Sequence, residues 1–452
     1  MLRVAVVGSG PSGCYTAQGL VQQDPSVRVD VLDRLPCPYG LVRYGVAPDH
    51  EKIKSLQNNL RAVLEHERVR FLGGVQIGGP GGLPAARLLE LYHAVVYCVG
   101  AAADRRLGIP GEELPGSWSA TEFVSWYSAH PDAVDDGFVR DVRSAVVIGV
   151  GNVAVDVTRM LARGAAELNP TDMPEPVLTA LAGSRVGEIH MVGRRGPSQA
   201  RFTTKELREL GALPDTDVVV DPRELALDPA HADLSALSAA QRRNVEVLRG
   251  WAAGPPTGAA RRIRLRFFLR PVELLAVRGR VGAVRFERTV PDGDGGVRGT
   301  GRYEDVEAQL VLRSVGYRGV PLDGLPFDAA TGTVPHREGR VLREGAVAPG
   351  EYVAGWIKRG PTGVIGTNRP CAKETVTSLL ADAPALARRR VSGDAVAVLR
   401  AEGVEPVEWQ GWLAIERAEA RLGASLGRNA VKLPDWDSLR TAARTALPRT
   451  GS

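Results

Sequence analysis

The sequence predicts an α/β protein built from two Rossmann-like units, and three observations lead to that prediction. A buried strand, a glycine-rich turn and the start of a helix occur at residues 4–13 (VAVVGSGPSG). The same arrangement returns at residues 145–156 (AVVIGVGNVAVD). The chain has 452 residues, whereas single hydrophobic cores stop growing near roughly 250–300 residues. We therefore expect at least two domains, each organised around one of the two glycine turns.

The first turn has the features of a dinucleotide-binding motif. Gly8 permits a tight turn, Gly10 lets the backbone approach a pyrophosphate, and Gly13 lets the helix pack closely on the strand. The phosphates would then meet the amino end of a helix, where free amides favour an anion. The next strand ends at Asp33, 20 residues beyond Gly13, where a carboxylate can accept hydrogen bonds from ribose hydroxyls.

The second turn predicts a preference for a phosphorylated dinucleotide. It keeps two glycines, and Ala154 replaces the third, a substitution that helix packing tolerates. The strand-like segment at 188–195 (EIHMVGRR) ends in Arg194 and Arg195 rather than in an acid. Guanidinium groups can bind a 2′-phosphate through bidentate hydrogen bonds, so NADP is preferred over NAD. The arginines follow later than usual, because residues 169–184 intervene, and we expect that stretch to be a surface excursion.

The rest of the chain indicates that one domain is inserted into the other. Two apolar strands that end in glycine turns, at 92–101 and 308–319, are suited to crossings between domains. A further strand and glycine-rich turn at 351–368 precede a predicted helix from about Pro370. We predict a discontinuous first domain, residues 1–105 and 320–452, around a second domain, residues 106–319.

Composition narrows the classes of function. Lysine and arginine total 57 residues against 52 acidic ones, a balance that predicts no nucleic-acid binding and only weakly suggests an acidic partner. The arginine run at 261–268 (RRIRLRFF) is interpreted as a solvated face, with a docking site as the alternative. No apolar run approaches the roughly 20 residues of a membrane helix, and the strand that starts by Val4 leaves no room for a signal peptide, so we expect a cytoplasmic protein.

The cysteines argue against metal and disulfide chemistry. The four residues, Cys14, Cys37, Cys98 and Cys371, show no metal-ligand spacing and no Cys-x-x-Cys motif. We therefore predict no metal site. Disulfide reductases with two dinucleotide domains pass electrons through a close cysteine pair. Without such a pair, electrons must leave by another route.

Five long motifs make the sequence resemble a known family. They are GSGPSG (8–13), PYGLVRYGVAPDH (38–50), VIGVGNVAVDV (147–157), VGRRGPSQARFTTKELREL (192–210) and GWIKRGPTGVIGTN (355–368). Over nearly the whole chain, the sequence resembles the adrenodoxin-reductase-type ferredoxin–NADP reductases, a branch of the glutathione-reductase-like flavoproteins. The resemblance implies two dinucleotide-binding domains of the three-layer ββα type, the first holding FAD and the second NADP(H).

The resemblance also assigns individual residues. Beside the turn glycines Gly8, Gly10 and Gly13, the positions that match FAD contacts are Ser12, Asp33, Leu41, Val75, Trp356, Gly363, Val364 and Ile365. The positions that match NADP(H) contacts are Arg105, Gly151, Asn152, Val153, Ala154, Arg194, Arg195 and Glu206. His50 and Glu209 match positions near the nicotinamide end. They would either orient the ring and handle protons as catalytic residues, or form a structural polar contact.

The resemblance implies hydride transfer from NADPH to FAD, followed by single-electron transfers to an acidic ferredoxin, an iron–sulfur protein that could feed a cytochrome P450 or another oxygenase. Lys358 and Arg359, beside the flavin motif, predict where that partner docks. One alternative is an NADPH-oxidising subunit like the glutamate synthase small subunits, which carry cysteine-rich segments that are absent here. A second alternative is a noncatalytic NADP-responsive binding protein that retains the fold.

Overall fold

The computed structural model of the protein describes residues 1–134, 137–391 and 393–445, with the backbone alone at Glu51. The first part of the chain forms β1 (Leu2–Val7), α1 (Pro11–Gln23), β2 (Val27–Leu32), α2 (Leu41–Tyr44), α3 (Glu51–Lys54), α4 (Leu56–Leu64), β3 (Val69–Gly73), α5 (Ala85–Leu91), β4 (Ala94–Tyr97) and β5 (Ala103–Asp104).

The middle of the chain forms β6 (Ser117–Ser119), α6 (Ala120–Tyr127), β7 (Ser144–Ile148), α7 (Asn152–Ala162), α8 (Ala165–Leu168), α9 (Glu175–Ala182), β8 (Glu188–Val192), α10 (Thr204–Gly211), β9 (Thr216–Val220), α11 (Pro222–Ala226), α12 (Pro229–Ala232), α13 (Ala239–Ala253), β10 (Arg261–Arg266), β11 (Leu269–Val277), β12 (Arg280–Pro291), β13 (Val297–Glu307) and β14 (Leu310–Arg313). A short 3₁₀ helix spans Pro197–Gln199.

The last part forms β15 (Tyr317–Arg318), β16 (His336–Arg337), β17 (Arg340–Arg343), β18 (Ala346–Val353), α14 (Trp356–Arg359), α15 (Asn368–Leu386), α16 (Ala395–Ala401), β19 (Val407–Glu408), α17 (Trp409–Ser425) and α18 (Trp436–Arg444). A second 3₁₀ helix spans Ile365–Thr367. In the part of the chain that the structure describes, no helix is both long enough and apolar enough to cross a membrane.

The chain divides into two compact units. Unit 1 comprises residues 1–103, 128–132 and 317–452, and unit 2 comprises residues 104–127 and 133–316. Which dinucleotide each of them binds remains a prediction.

Unit 1 contains a mainly parallel sheet with the first glycine turn at its centre. Its strand order is β16-β17-β18-β4-β1-β2-β3-β19, and β1 pairs in parallel with both β2 and β4. The apolar run of β1 is nearly fully buried, as expected for a strand covered on both faces of a parallel sheet. The turn after β1 therefore lies at the carboxyl edge of the sheet, between the ends of its two neighbours.

Unit 2 repeats the arrangement. The strand order of its parallel sheet is β6-β14-β7-β8-β10-β9, and β7 pairs in parallel with β14 and β8. The strands β11, β12 and β13 form a separate antiparallel sheet. The predicted α/β class with two Rossmann-like units is confirmed, and in both units the strand, turn and helix follow the glycine motif as predicted.

Two local predictions were wrong. Residues 169–184 are not a surface excursion, because α9 lies within them and Met173, Val177, Leu178 and Leu181 join the core of unit 2. The segment at 261–268 is not simply a solvated face, because it contains β10, which pairs on both sides in parallel. Its arginines alternate with the fully buried Ile263 and Leu265, the period of two that a strand imposes.

Candidate functional site

The first glycine turn is built so tightly that two of its glycines have no room for a side chain. Gly8 has a φ of 109°, and a Cβ there would lie 2.5 Å from the carbonyl oxygen of Cys98, after β4. A Cβ on Gly13 would lie 1.8 Å from the carbonyl oxygen of Gly8. On Gly10 it would make only an ordinary contact, 3.8 Å from the Cα of Gly40. The turn thus brings the amino end of α1 against β1, where its first amides lack intrahelical acceptors.

Asp33 is tied to the first turn by its carboxylate. One oxygen accepts hydrogen bonds from the backbone amide of Ser9 at 2.8 Å and from the Ser9 hydroxyl, and the other accepts from the amide of Leu35 at 2.9 Å. Burial raises the pKa of Asp33, and these hydrogen bonds oppose the shift. A carboxylate oxygen can accept two hydrogen bonds, so the oxygen bonded to Leu35 has capacity for one more donor.

The loop at 38–45 (PYGLVRYG) lies against the first turn. The amide of Tyr39 donates to the carbonyl of Ser9 at 3.2 Å, and a Cβ on Gly40 would lie 3.0 Å from the Cα of Gly10. Leu41 is 41% exposed although it is apolar. Val75 is different, since its side chain is buried in the core and its amide donates to the carbonyl of Asp33 at 2.8 Å.

The glycine-rich segment at 355–368 returns to the same turn. Gly355 has a φ of 78°, and a Cβ there would lie 2.6 Å from the side chain of Ser12. Trp356 then stacks on Tyr317, with ring centroids 5.3 Å apart. The Trp356 indole nitrogen is buried and has no hydrogen-bond partner among the described residues. Buried polar atoms are normally paired, so this nitrogen is suited to a ligand.

Two further observations fit a flavin cofactor beside this segment. Val364 is 65% exposed, although apolar side chains of this size are usually buried. Arg359 donates from one terminal nitrogen to Thr362 and Asn368, while its Nε and other terminal nitrogen are buried without a partner among the described residues. An apolar surface beside unpaired donors is what a ring system with polar edges requires.

Lys358 cannot serve as the docking residue that the sequence predicted. It is 5% exposed, and its ammonium group donates to the Thr375 hydroxyl at 3.0 Å and to the Glu374 carboxylate at 2.9 Å. Because α15 covers this side chain, its charge is neutralised inside unit 1. The prediction was wrong because Lys358 is buried under α15. The sequence of the segment at 355–368 does not itself indicate this burial.

A buried ion pair, which the sequence did not reveal, anchors the loop at 38–45. Arg43 donates through both terminal nitrogens to Glu419 of α17, and both residues are 5% exposed. The buried Lys432 donates to the carbonyl of Arg43 at 2.7 Å. The amide of Leu433 donates to the Glu419 carboxylate at 3.0 Å. The carboxy-terminal segment thereby fixes the loop that lies against the first turn.

All four cysteines belong to unit 1 and are buried free thiols. Burial raises the pKa of Cys37 to about 11 and that of Cys98 to about 12, and it raises the pKa of Cys14 further. Since the thiolate is the reactive form, the side chains of Cys14, Cys37 and Cys98 are poor nucleophiles in the folded protein.

The second glycine turn has the same plan with more room. Gly149 has a φ of 140°, and a Cβ there would lie 2.1 Å from the carbonyl oxygen of Ser314, after β14. A Cβ on Gly151 would meet nothing within 4 Å, and Ala154 is fully buried with its methyl group accommodated. The Asn152 side chain accepts from the amide of Thr203 at 2.8 Å, which holds α10 beside the turn. Val153, next in α7, is partly buried.

Three arginines gather at the carboxyl edge of the unit 2 sheet. Arg194 and Arg195 follow β8, and the amide of Arg201 donates to the carbonyl of Val150, within the glycine turn, at 2.8 Å. Burial, followed by the like charges of Arg194 and Arg201, lowers the pKa of Arg195. Arg105 lies at the same edge, with its amide bonded to the carbonyl of Gly316 at 2.9 Å. A multiply charged anion would be attracted by Arg194, Arg195 and Arg201, which together form the arginine cluster.

Glu206 and Glu209 lie on α10 beside a buried cation of α7. Arg159 is fully buried and lies 3.1 Å from the Glu209 carboxylate, 3.8 Å from that of Glu206 and 2.8 Å from that of Asp156. Glu209 therefore has an ion-pair partner, Arg159, which supports the interpretation of Glu209 as a structural polar contact. His50, in unit 1, is buried, and its carbonyl accepts the amides of Ile53 and Lys54.

Comparisons with known proteins agree with this fold. Residues 2–209 match the family model of pyridine nucleotide-disulphide oxidoreductases. The chain is 39% identical to the mitochondrial NADPH:adrenodoxin oxidoreductase of Arabidopsis thaliana, over 98% of this chain and 95% of the relative. It is 46% identical to the NADPH-ferredoxin reductase FprA of Mycobacterium tuberculosis, over 83% of each chain. This chain belongs to the adrenodoxin-reductase-type ferredoxin–NADP reductases.

A solved structure of this reductase family has the same fold. The structure of M. tuberculosis FprA in complex with NADPH is 42% identical and has a TM-score of 0.91, covering 98% of this chain and 99% of that one. Four residues of this reductase were not predicted from the sequence: Ser9, Tyr317, Arg159 and Arg201. Arg201 could have been, because it lies within the quoted motif at 192–210 and adds a third arginine to the pair.

Proposed function

We propose that the protein is an FAD-dependent NADPH–ferredoxin reductase, which transfers electrons from NADPH to a ferredoxin-type iron–sulfur protein. The observation that supports this most directly is the 39–46% identity to reductases of that activity over most of the chain. When bound, FAD supplies an acceptor for a hydride and a donor of single electrons. Delivery from the ferredoxin to a cytochrome P450 or another oxygenase, and a cytoplasmic location, are part of the proposal.

In unit 1, we assign the FAD to the surface formed by the first glycine turn and the segment at 355–368. The amino end of α1 would bind the pyrophosphate, because its amides and helix dipole favour an anion. The amide of Val364 donates to the Thr367 hydroxyl at 3.1 Å. The amides of Gly363 and Ile365 are therefore the ones we assign to the cofactor, and the Trp356 indole nitrogen is a further donor.

In unit 2, we assign NADP(H) to the second glycine turn and the arginine cluster. Gly151 leaves open space at the amino end of α7, which suits a pyrophosphate. Arg194, Arg195 and Arg201 would bind the 2′-phosphate, which NADH lacks. Binding and orientation of the two cofactors would be the chain's main contribution to catalysis, since hydride transfer depends on the alignment of the two rings.

The deciding experiment is an absorbance spectrum of the purified protein under anaerobic conditions, before and after NADPH is added. We expect oxidised flavin bands that bleach with NADPH and much less with NADH. Added ferredoxin should then support reduction of cytochrome c at a rate that falls as salt rises. A colourless protein, or flavin bands that NADPH leaves unchanged, would refute the proposal.

A further inference from the structure

Unit 2 has a second positively charged region, at the edge of its sheet opposite the glycine turn. A cleft of about 520 Å³ is lined by Arg143, Arg185, Arg262 and Glu188, together with the small residues Gly187, Ala259 and Ala260. These residues stand at or before the starts of β7, β8 and β10. Gly149 lies six residues beyond Arg143, past the other end of β7. Because a strand rises about 3.3 Å per residue, the cleft is roughly 20 Å from the Gly149 turn.

The charges that line the cleft do not balance. Among the described residues that line the cleft, Glu188 alone has a carboxylate, and one of its oxygens is already ion-paired with Arg264. Its other oxygen lies 3.8 Å from a terminal nitrogen of Arg262. Among the described residues, the guanidinium groups of Arg143 and Arg185 have no carboxylate within ion-pairing distance. Three guanidinium groups from three separate segments therefore line the cleft with one carboxylate, while the carboxylates of Asp215 and Asp217 lie behind Ala259 and Ala260 and accept their amides.

The backbone amides around the cleft are already used within unit 2. The amides of Gly187 and Glu188 donate to the carbonyl of Arg143. The amides of Ala259 and Ala260 donate to the carboxylates of Asp217 and Asp215. An anion in this cleft would therefore be recognised by the guanidinium groups, which bind planar carboxylate and phosphate edges through paired hydrogen bonds.

We propose that this cleft binds a small oxyanion with two or more negative charges, such as a phosphate group. A concave site with an excess of positive charge concentrates the field and raises the local concentration of anions. The small side chains of Gly187, Ala259 and Ala260 leave space between the guanidinium groups. That space favours a small molecule over a flat macromolecular surface. The site is separate from the arginine cluster assigned to the 2′-phosphate.

The test uses the full chain with its cofactors and pyrophosphate as the probe, followed by calorimetric titration at constant ionic strength. We expect saturable binding at one site, weakened tenfold or more by Arg143→Gln and by Arg185→Gln, since each removes charged hydrogen bonds. The matched control is Arg302→Gln, which removes an exposed arginine of β13 and should leave binding unchanged. Circular dichroism verifies that each variant is folded.

Three results would overturn the proposal. They are the absence of saturable binding, equal binding by the Arg143→Gln/Arg185→Gln double variant, and a loss confined to an Arg194→Gln/Arg195→Gln double variant. The last result would place the anion at the glycine-turn edge and leave the proposed function intact. Parallel titrations with inorganic phosphate and glycerol phosphate distinguish a free ion from a phosphate ester as the ligand.

Discussion

Replacing Arg195 should weaken the binding of NADPH and raise the thermal stability of the coenzyme-free protein. Burial and the like charges of Arg194 and Arg201 lower the pKa of this residue, so its charged form is disfavoured in the folded protein. The repulsion is present with and without NADPH, and therefore nearly cancels in binding. The hydrogen bond between Arg195 and the 2′-phosphate forms only in the complex, so it contributes to the free energy of binding. A hydrogen bond to a charged group contributes about 1.5–3 kcal/mol, so Arg195→Met should weaken NADPH binding roughly ten- to a hundredfold.

The same substitution should stabilise the protein when no coenzyme is bound. Relief of repulsion near a protein surface contributes up to about 1 kcal/mol, which corresponds to a rise in Tm of roughly 2–4 °C in a domain of this size. Methionine keeps an apolar stem, so little packing is lost. The assays are steady-state reduction of an artificial acceptor with NADPH and with NADH, and thermal unfolding without coenzyme.

The control is Arg302→Met, which removes an exposed arginine of β13 and should change neither quantity. NADH use should stay near wild type, because NADH has no 2′-phosphate. An Arg195→Met variant that binds NADPH as tightly as wild type would show that the arginine cluster does not form the coenzyme site. A lower Tm without coenzyme would refute the argument from repulsion.

Three further perturbations test the packing around the proposed sites. Glu419→Gln leaves Arg43 buried without its counter-charge, so the free energy of unfolding in urea should fall by about 3–5 kcal/mol, with loss of FAD. Lys358→Met should retain ferredoxin reduction and its salt dependence, because the charge that it removes is buried. Burial lowers the pKa of His130 and of His190 to about 4. These two histidines therefore take up protons near pH 6.5 in the unfolded chain but only near pH 4 in the folded chain. The free energy of unfolding should decrease as the pH falls from about 6.5 to 4.

Each of these perturbations has its own control. Glu65→Gln disrupts an exposed ion pair and should cost less than about 1 kcal/mol. Lys373→Met alters an exposed lysine on α15, which makes it the surface counterpart of the Lys358 variant. His190→Gln should flatten the dependence of stability on pH, whatever its effect at neutral pH. Equal slopes for this variant and the wild type would contradict the assignment to His190.

The parts of the fold that are local in sequence could be predicted from the sequence. Both glycine turns were recognisable because strand, turn and helix adjoin, and Gly8 and Gly149 have the positive φ angles that such turns require. The burial of Lys358 was not predictable. Its partners on α15 lie up to 17 residues further along the chain, and only packing of that helix brings them together.

The candidate sites show the same limit. The 192–210 motif marked Arg194 and Arg195, but the partners of Arg159 depend on α7 and α10 packing together. The ion pair between Arg43 and Glu419 joins positions 376 residues apart, a separation over which no local pattern carries information. The prediction of a surface excursion at residues 169–184 was wrong because the polar, proline-rich start of this stretch gives no indication of the apolar face of α9.

The positions of the four thiols allow local opening of the protein to be measured by chemical labelling. Since all of them are buried in unit 1, a thiol-specific reagent would react only when that unit opens. Opening of unit 2 would not change the labelling. The rate of labelling would therefore measure how often the unit assigned to FAD exposes its interior. Added FAD should slow that rate by a factor of about one plus the ratio of the free FAD concentration to its Kd, and no engineered label is required.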